Sequence, residues 1–249
     1  MCGDFMCGKL VAVCHNTVCD GPYSQSRWGP CTRECGRGRK VRRDKFGKKP
    51  QYIRCNTHSC KKVKGDCAAD VVFVLDSSGS IGDKNWFVAK QFAIDVAKGL
   101  RLSQPDTRFG VITYSTEAEV GFDLGQYNNI TDIQNNIWAL GYLAGPTNTA
   151  DGLRRMRAMF DKNGASNKKA VAIVLTDGVS TLESDFTLKE AAAAKDEGID
   201  IFAIGVGDAY LDELIAMSSA PSSYFVQTAS TYSAVLSITR TIITRICHM

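Results

Sequence analysis

The chain has 249 residues, of which 44% are hydrophobic and 22% are charged, and its formal net charge at pH 7 is +4. This composition indicates one large globular domain together with something smaller. No apolar run approaches the roughly 18 residues of a membrane span, so no membrane insertion is predicted for this chain. Ten cysteines indicate an oxidising compartment, although no signal-peptide pattern stands at the start. We therefore expect a mature portion or a fragment of a secreted, extracellular protein.

The charged residues divide the chain into two parts. Residues 1–66 contain 15 Lys and Arg against 5 Asp and Glu, whereas residues 67–249 contain 15 against 21. Opposite net charges of this kind are typical of separate modules. The sequence predicts a truncated cysteine-rich repeat at residues 1–19, a small module at 20–61, a linker at 62–66 and a larger domain at 67–247.

Disulfides have to stabilise the N-terminal part, because it combines eight cysteines and many glycines with little apolar periodicity. Its pattern runs from Trp28-Gly-Pro-Cys31 through Cys35-Gly-Arg-Gly to Cys55-Asn-Thr-His-Ser-Cys60. This pattern resembles a thrombospondin type 1 repeat, a thin three-stranded module. The resemblance implies one disulfide between Cys31 and Cys55 and another between Cys35 and Cys60.

The aromatic and modified positions of this module depart in part from the repeat. Only Trp28 is present where the repeat usually has two or three Trp residues, and one of its three disulfides has no counterpart. The resemblance implies that Arg42 stacks on Trp28 in a cation–π contact. Glu34 occupies the position of the O-fucosylated Ser or Thr, so that modification is not expected. Trp28 is a predicted C-mannosylation site.

The first four cysteines form a partial internal repeat of the later pattern. Cys2-x4-Cys7-Gly and Cys14-x4-Cys19 echo the spacing that follows them, which favours pairing Cys2 with Cys14 and Cys7 with Cys19. Four cysteines allow three connectivities, so the pairing stays open. Zinc binding is the competing interpretation, and it is disfavoured because the C-x2-C pairs of a zinc ribbon are absent.

A strip of nine basic residues runs through the small module. Such a strip concentrates positive potential, and in a disulfide-rich secreted module its predicted partner is a glycosaminoglycan rather than nucleic acid. The alternative is that the strip is a solvated face in which only Arg42 has a role, stacking on Trp28. Nuclear targeting is disfavoured because it does not fit the cysteines. The strip consists of Arg33, Arg37, Arg39, Lys40, Arg42, Arg43, Lys45, Lys48 and Lys49.

From Ala68 onward, short apolar strands alternate with amphipathic helices. Intervals of three and four between apolar residues are helical, and their alternation with strands predicts a doubly wound, mostly parallel α/β sheet covered on both faces. The predicted strands are Val71–Leu75, Phe109–Tyr114, Ala170–Thr176 and Ile199–Val206. The predicted helical faces contain Trp86, Ala89, Ala93, Val96, Ala97 and Leu100; Ile130, Ile133, Ile137 and Leu140; Leu153, Met156 and Phe160; and Val235, Ile238, Ile242 and Ile246.

Polar side chains follow these strands where the chain leaves the predicted sheet. Asp76, Ser78 and Ser80 follow the first strand, Asp177 follows Thr176, and Thr147 precedes the third helix. Since ligands of such sheets bind beyond the carboxyl ends of the strands, these side chains are expected at one edge. Carboxylate and hydroxyl oxygens suit Mg²⁺ or Mn²⁺. The alternative is that each residue only caps the helix that follows it.

Three separated segments, DVVFVLDSSGSIG, AGPTNTADGL and VAIVLTDGVS, carry a second resemblance. They are similar to the von Willebrand factor A domain with its metal-ion-dependent adhesion site (MIDAS), and the resemblance covers about residues 67–247. It implies that five residues form the metal site, namely Asp76, Ser78, Ser80, Thr147 and Asp177. Ala144 stands where a glycine is common, which is the visible departure.

The resemblance also implies how such a site binds. Three hydroxyls coordinate the cation directly while Asp76 and Asp177 act through water, and an acidic residue of a protein ligand fills the vacant position. Collagen or another matrix protein is the implied ligand. Movement of the last helix, at about Thr231–Ile246, would accompany direct contact of Asp177 with the cation.

Two further features bear on the larger domain. Cys67 and Cys247 are predicted to pair, which closes a loop worth up to roughly 5 kcal/mol in the chain-entropy model. Such a bond would limit the last helix, so we expect a restrained domain rather than a strongly switching one. Asn129-Ile-Thr131 is a predicted glycosylation site.

The leading interpretation is therefore an adhesion protein of the extracellular matrix. An enzyme is disfavoured because Ser78 replaces the second Asp of an Asp-x-Asp phosphatase loop, and because no phosphate-binding loop or G-x-S-x-G is present. The histidines, His15, His58 and His248, lie away from the motif segments. A structural or assembly component without a distinct foreign ligand is the remaining alternative.

Overall fold

The computed structural model describes residues 38–43, 50–55, 68–103, 106–164 and 168–249, and for 38–43, 50–55 and 101–103 it describes the backbone. The chain separates into two compact units, Met1–Lys62 and Val63–Met249. None of the helices in the described ranges is long and apolar enough to cross a membrane.

Two strands are described in the first unit. Strand β1 (Gly38–Arg43) pairs with β2 (Pro50–Cys55) in an antiparallel ladder that sets Gly38 opposite Cys55. The side chains of the predicted cysteine pairs, of Trp28 and of all nine basic residues lie outside the described part of the molecule, as do residues 1–19 and 62–66.

The second unit contains a six-stranded sheet in the order β5-β4-β3-β6-β7-β8. All neighbouring strands are parallel except β5, which is antiparallel to β4 at one edge. The predicted mostly parallel α/β sheet is thus confirmed. The strands are β3 (Ala69–Asp76), β4 (Arg108–Tyr114), β5 (Ala118–Phe122), β6 (Lys169–Thr176), β7 (Ile199–Val206) and β8 (Val226–Ala229).

Helices cover both faces of this sheet and form two hydrophobic clusters. Side chains of α1, α2, α6 and α7 pack in one cluster, and those of α3, α4 and α5 pack in the other. The helices are α1 (Gly82–Ser103), α2 (Ile130–Trp138), α3 (Thr149–Asn163), α4 (Ser184–Asp196), α5 (Leu211–Met217), α6 (Ser222–Phe225) and α7 (Tyr232–His248).

Strand β3 lies in the middle of the sheet, and all of its residues are buried. Successive side chains of a strand point to opposite faces, so Val71, Phe73 and Leu75 enter one cluster while Val72 and Val74 enter the other. A strand that is buried on both faces needs apolar residues at consecutive positions, which explains the continuous apolar run Val71–Leu75.

Helix α1 presents the predicted apolar face, and all six of its predicted residues are buried. It packs against α7, and a Cβ built on Gly99 would lie 2.2 Å from Cδ1 of Ile243. The two helices therefore approach closely at Gly99, where a larger residue would require the Ile243 side chain to move. Cys247 near the end of α7 is disulfide-bonded, and its predicted partner Cys67 lies outside the described residues.

Some elements differ from the sequence expectation. Leu140 was expected on the face of α2, but that helix ends at Trp138 and Leu140 is half-buried beyond it. Ile238 of α7 is also only half-buried. The edge strand β5 was not predicted, because only its first and last residues are buried and it shows no alternation.

Candidate metal centre

Two neighbouring strands carry the carboxylates of the predicted site. Asp76 is the last residue of β3, and Asp177 follows Thr176, the last residue of β6. The strands are parallel and in register, with Leu75 beside Leu175, so both acidic residues leave the sheet at its carboxyl edge. The sheet thereby brings together residues 101 positions apart in the sequence.

Asp76 is 1% exposed, and both of its oxygens accept hydrogen bonds. The backbone N–H of Ser78 donates to Oδ1 at 2.9 Å, and the hydroxyl of Thr176 donates to Oδ2 at 2.6 Å. Burial raises the pKa of Asp76 to about 6, the charge of Asp177 adds to this effect, and the hydrogen bonds oppose it. The charged form of Asp76 is therefore held in an environment that disfavours it.

A chain of hydroxyls joins the first loop to Asp177. The Oγ atoms of Ser78 and Ser80 lie 3.2 Å apart, within hydrogen-bond distance, and the Ser80 hydroxyl donates to Oδ1 of Asp177 at 2.7 Å. Burial raises the pKa of Asp177, and the bond from Ser80 opposes this. Together with Asp76, four of the five predicted residues thus form one hydrogen-bonded network.

The fifth residue, Thr147, is buried and lies in the loop before α3. Thr181 fixes its backbone: the N–H of Thr147 donates to Oγ1 of Thr181 at 3.0 Å, and its carbonyl accepts from the Thr181 N–H at 2.8 Å. The same loop touches the first loop, since Gly79 N–H donates to the Gly145 carbonyl at 2.8 Å. The structure therefore places this loop at the site without a direct bond between Thr147 and the other four.

Serine side chains hold these loops in place, and sequence analysis did not identify them. Oγ of the buried Ser77 accepts from Leu143 N–H at 2.9 Å. Oγ of Ser115, after β4, accepts from Gly145 N–H at 2.7 Å. Both bonds join segments about 30 or more residues apart, so no local spacing could have revealed them.

Tyr142 is a second residue that sequence analysis missed. Its hydroxyl accepts from Gly82 N–H at 2.9 Å and donates to the Ser78 carbonyl, also at 2.9 Å. It therefore bridges the beginning of α1 and the metal-site loop. Thr176, which donates to Asp76, could have been recognised from its position directly before Asp177.

Ala144 adopts a backbone conformation that explains why glycine is common at its position. Its φ angle is 57°, in the left-handed region that strains residues with a Cβ atom. In this conformation Ala144 N–H donates to the Ser77 carbonyl at 2.9 Å, which joins the two loops. An alanine at this position therefore costs backbone strain. Ala144 is not one of the five predicted site residues.

The donor set fits a hard divalent cation. Two partly desolvated carboxylates and hydroxyl oxygens converge on one edge, and no Lys or Arg within the described ranges forms an ion pair with either carboxylate. Such oxygens suit Mg²⁺ or Mn²⁺. No group of three or more His, Cys, Asp or Glu that could hold a metal occurs among the described residues, so a zinc-type cluster is not found there.

Asn129, the predicted glycosylation site, is exposed at the beginning of α2. Its side-chain oxygen accepts from Asp132 N–H at 2.8 Å and caps the helix. The attachment nitrogen, Nδ2, donates to the carboxylate of Asp132. Glycosylation of Asn129 stays a prediction.

The fold and the site define a class of protein: α/β domains with an oxygen-ligand cation site at the carboxyl edge of a parallel sheet. The family model of the von Willebrand factor type A domain matches residues 70–241, and the chain belongs to this family. The predicted membership of the larger domain is therefore confirmed, while the thrombospondin-type resemblance stays a prediction.

Several curated relatives are similar to the same part of the chain. Mouse vitrin is 35% identical over 162 residues, mouse collagen alpha-5(VI) chain is 34% identical over 168, and chicken matrilin-1 is 34% identical over 157. The matched segments cover 64%, 66% and 62% of this chain. They span only 24%, 6% and 31% of those relatives.

Solved structures support the fold. Proximal thread matrix protein 1 from the mussel byssus is 28% identical, with a TM-score of 0.65 over 73% of this chain and 47% of that one. A second structure of that protein, with a zinc-occupied MIDAS motif, is 24% identical with a TM-score of 0.66, over 72% of this chain and 48% of that one. At that identity the second structure shows the fold alone.

Proposed function

We propose that this chain is an extracellular matrix adhesion protein that binds an acidic residue of a protein ligand through a divalent cation. The observation that carries the proposal is the network of Asp76, Ser78, Ser80 and Asp177. Neither the buried carboxylate of Asp76 nor the half-buried one of Asp177 forms an ion pair with a Lys or Arg of the described residues. The names of the relatives, among them a collagen chain and a matrilin, support a matrix setting and a secreted protein.

Five residues would hold the cation, Mg²⁺ or Mn²⁺: Asp76, Ser78, Ser80, Thr147 and Asp177. When bound, the cation supplies an electrophilic position for a carboxylate oxygen of the ligand. The hydroxyls of Ser78 and Ser80 are neutral donors, so they leave the charge of the ion uncompensated. Ser80 also donates to Asp177 and holds that carboxylate beside the loop.

We further propose that the chain is not an enzyme. Both oxygens of Asp76 accept hydrogen bonds within the buried edge, an arrangement poorly suited to nucleophilic attack. His248, the histidine among the described residues, lies at the end of α7. Absence of hydrolysis of a generic phosphate ester in Mg²⁺ is the expected result.

The N-terminal part is proposed to be a thrombospondin type 1-like module that binds glycosaminoglycan through its basic strip. Its net positive charge supports this, and two weak sites on one chain would gain avidity. Heparin binding should weaken with salt, because screening acts on exposed charges. Peptide mapping under non-reducing conditions would test the pairs Cys31–Cys55 and Cys35–Cys60.

Binding of the full chain to immobilised collagens, laminin, fibronectin and heparin tests the adhesion function. We expect binding to a matrix protein in Mg²⁺, loss of that binding in EDTA and in Asp177→Ala, and heparin binding that EDTA leaves unchanged. Asp208→Ala is the matched control, since Asp208 is an exposed carboxylate after β7 at the same edge. Matrix binding that is equal in Mg²⁺ and in EDTA would contradict the proposal.

The second candidate is a structural or assembly component of the matrix. Similarity at 28% identity to a thread matrix protein of the mussel byssus favours it. Self-association of the full chain in sizing experiments, without a saturable foreign ligand, would support this function instead.

A further inference from the structure

Glu213 of α5 is a half-buried carboxylate outside the hydrogen-bonded network of the proposed cation site. It lies in the first turn of α5, where its neighbour Asp212 is exposed. No Lys or Arg of the described residues forms an ion pair with Glu213. A carboxylate that loses part of its hydration without a cationic partner needs hydrogen bonds in compensation.

The loop between β6 and α4, residues 177–183, supplies such a bond. The backbone N–H of Ser180 donates to Oε1 of Glu213 at 3.2 Å. Ser180 is 4% exposed, and the loop to which it belongs begins with Asp177 of the site. A buried N–H needs an acceptor, and a carboxylate is a stronger acceptor than a neutral oxygen. The side chain of Glu213 thus holds this β6–α4 loop from the neighbouring helix.

The helix that carries Glu213 is packed firmly on the sheet. Leu214 and Met217 of α5 are buried in the cluster that also contains α3 and α4. A Cβ built on Gly205 of β7 would lie 2.4 Å from Cδ1 of Leu214, so the helix and the strand approach closely. Lys195 of α4 donates to carbonyls at the end of α5. Glu213 therefore reaches the loop from a helix that is fixed at both ends.

From Ser180 the hydrogen bonds continue to the fifth predicted site residue, Thr147. The next residue, Thr181, donates its N–H to the Thr147 carbonyl at 2.8 Å, and its Oγ1 accepts from the Thr147 N–H at 3.0 Å. The N–H of Leu182 donates to the same carbonyl at 3.0 Å. The β6–α4 loop thus carries Asp177 and fixes Thr147, so two of the five predicted site residues depend on its position.

We propose that Glu213 is a positioning residue of the cation site, whose carboxylate holds the β6–α4 loop through the N–H of Ser180. The loop in turn places Asp177 and Thr147. This inference rests on the proposed cation site. A group that orients metal ligands in this way changes the affinity for the metal without touching it. Helix α5 therefore contributes to cation binding, although none of the five predicted ligands lies on it.

Two substitutions of Glu213 test the inference. Glu213→Met removes the acceptor but keeps a long side chain, and titration calorimetry of the full chain with Mg²⁺ at pH 7.5 should give an affinity about 10-fold weaker than that of the unaltered protein. Glu213→Gln keeps an acceptor oxygen for the Ser180 N–H, so its affinity should stay within about threefold. Equal losses in both variants would overturn the inference, because the charge of Glu213 would then act rather than its hydrogen bond.

Asp212→Ala is the matched control, since it removes an exposed carboxylate from the same turn of α5. Its Mg²⁺ affinity should stay within about twofold, because exposed charges are screened. A loss as large as that of Glu213→Met would overturn the inference. So would a Glu213→Met variant with a lower melting temperature and an unchanged Mg²⁺ affinity, since the role of Glu213 would then be purely structural.

Hydrogen exchange in EDTA tests the loop without a cation. In Glu213→Met the amide of Thr181, which donates to the Thr147 carbonyl, should exchange at least about fivefold faster than in the unaltered protein. The amide of Gly79, in the first loop, should exchange at an unchanged rate. An unchanged rate at Thr181 would overturn the inference, because the loop would then not depend on Glu213.

The inference and the proposed function fail in different ways. Weaker Mg²⁺ binding by Glu213→Met, together with no binding of the unaltered chain to any matrix protein, would contradict the adhesion function alone. A chain that binds neither Mg²⁺ nor Mn²⁺ would overturn both proposals.

Discussion

Two aspartates of strand β3 are both 1% exposed, yet their surroundings are opposite. At the amino end, Asp70 accepts two bonds from Arg108, at 2.7 Å from Nε to Oδ1 and 2.5 Å from Nη2 to Oδ2. At the carboxyl end, Asp76 accepts from neutral donors, among them the backbone N–H of Ser78 and the hydroxyl of Thr176. One buried charge is neutralised by a side chain of the chain itself, and the other is not.

The comparison shows how burial can serve stability at one end of a strand and binding at the other. A buried carboxylate with a bidentate Arg needs nothing from solution. A buried carboxylate whose neighbours are hydroxyls and a second carboxylate attracts an external cation instead. The two ends of β3 thus separate a structural acid from the proposed functional one.

The largest expected effect comes from removing the positively charged side chain of Arg108 at the amino end of β3. Arg108→Met removes the bidentate partner of the buried Asp70 carboxylate, and should lower the free energy of unfolding by about 3 kcal/mol. Chemical denaturation at pH 7.5 measures this. The double variant Asp70→Asn with Arg108→Met should recover most of the loss, and failure to recover would mean that Arg108 acts mainly through its bond to the Asn163 carbonyl.

In the absence of metal, Asp76→Asn should stabilise the protein, whereas Arg108→Met destabilises it. The folded-state pKa of about 6 exceeds the usual 3.8, so the stability contributed by the protonated form is present below about pH 3.8 and lost as pH rises through 6. Asn stays neutral, and should raise the free energy of unfolding at pH 7.5 in EDTA by about 2 kcal/mol. Mg²⁺ should no longer stabilise the variant.

The control is to compare the stability of Asp76→Asn with that of the unaltered protein at a second pH. Near pH 3.5 the two proteins should unfold at nearly the same denaturant concentration, because Asp76 is then protonated in both states. A gain that is equal at both pH values would contradict electrostatic destabilisation of Asp76 and would indicate a packing effect.

Mg²⁺ affinity should itself depend on pH. Binding requires the ionised form of Asp76, so lowering the pH from 7.5 to 5.0 through the pKa of about 6 should weaken the apparent affinity about 10-fold. Calorimetric titrations at constant ionic strength measure the change. Equal dissociation constants at both pH values would show that the negative charge of Asp76 does not contribute to Mg²⁺ binding.

The smallest expected effect concerns the strained loop beside the site. Ala144→Gly relieves a left-handed residue with φ of 57° and should raise the free energy of unfolding by about 1 kcal/mol. Ala139→Gly is the matched control, since Ala139 is exposed with φ of −73° and should gain nothing. Thermal unfolding of the two variants distinguishes strain relief from a general effect of glycine.

The sequence predicted the parts of the fold that have a local signature. The apolar run of β3, the face of α1 from Trp86 to Leu100 and the Asp-x-Ser-x-Ser loop are each contained in one short segment. Burial on both faces, helical periodicity and turn chemistry act between near neighbours, and they can therefore be recognised without a structure. The edge strand β5 lacked such a signature and was missed.

For the site, the sequence determined which oxygen ligands were available, and only the tertiary structure decided how they are supported. Parallel pairing of β3 with β6 joins Ser80 to Asp177, and the contacts of Tyr142 with the first loop depend on how distant segments pack. The pairing of Asp70 with Arg108 likewise separates a structural acid from Asp76 on one strand. Distances between residues far apart in the chain set the burial and the pKa of each carboxylate, and no local pattern encodes those distances.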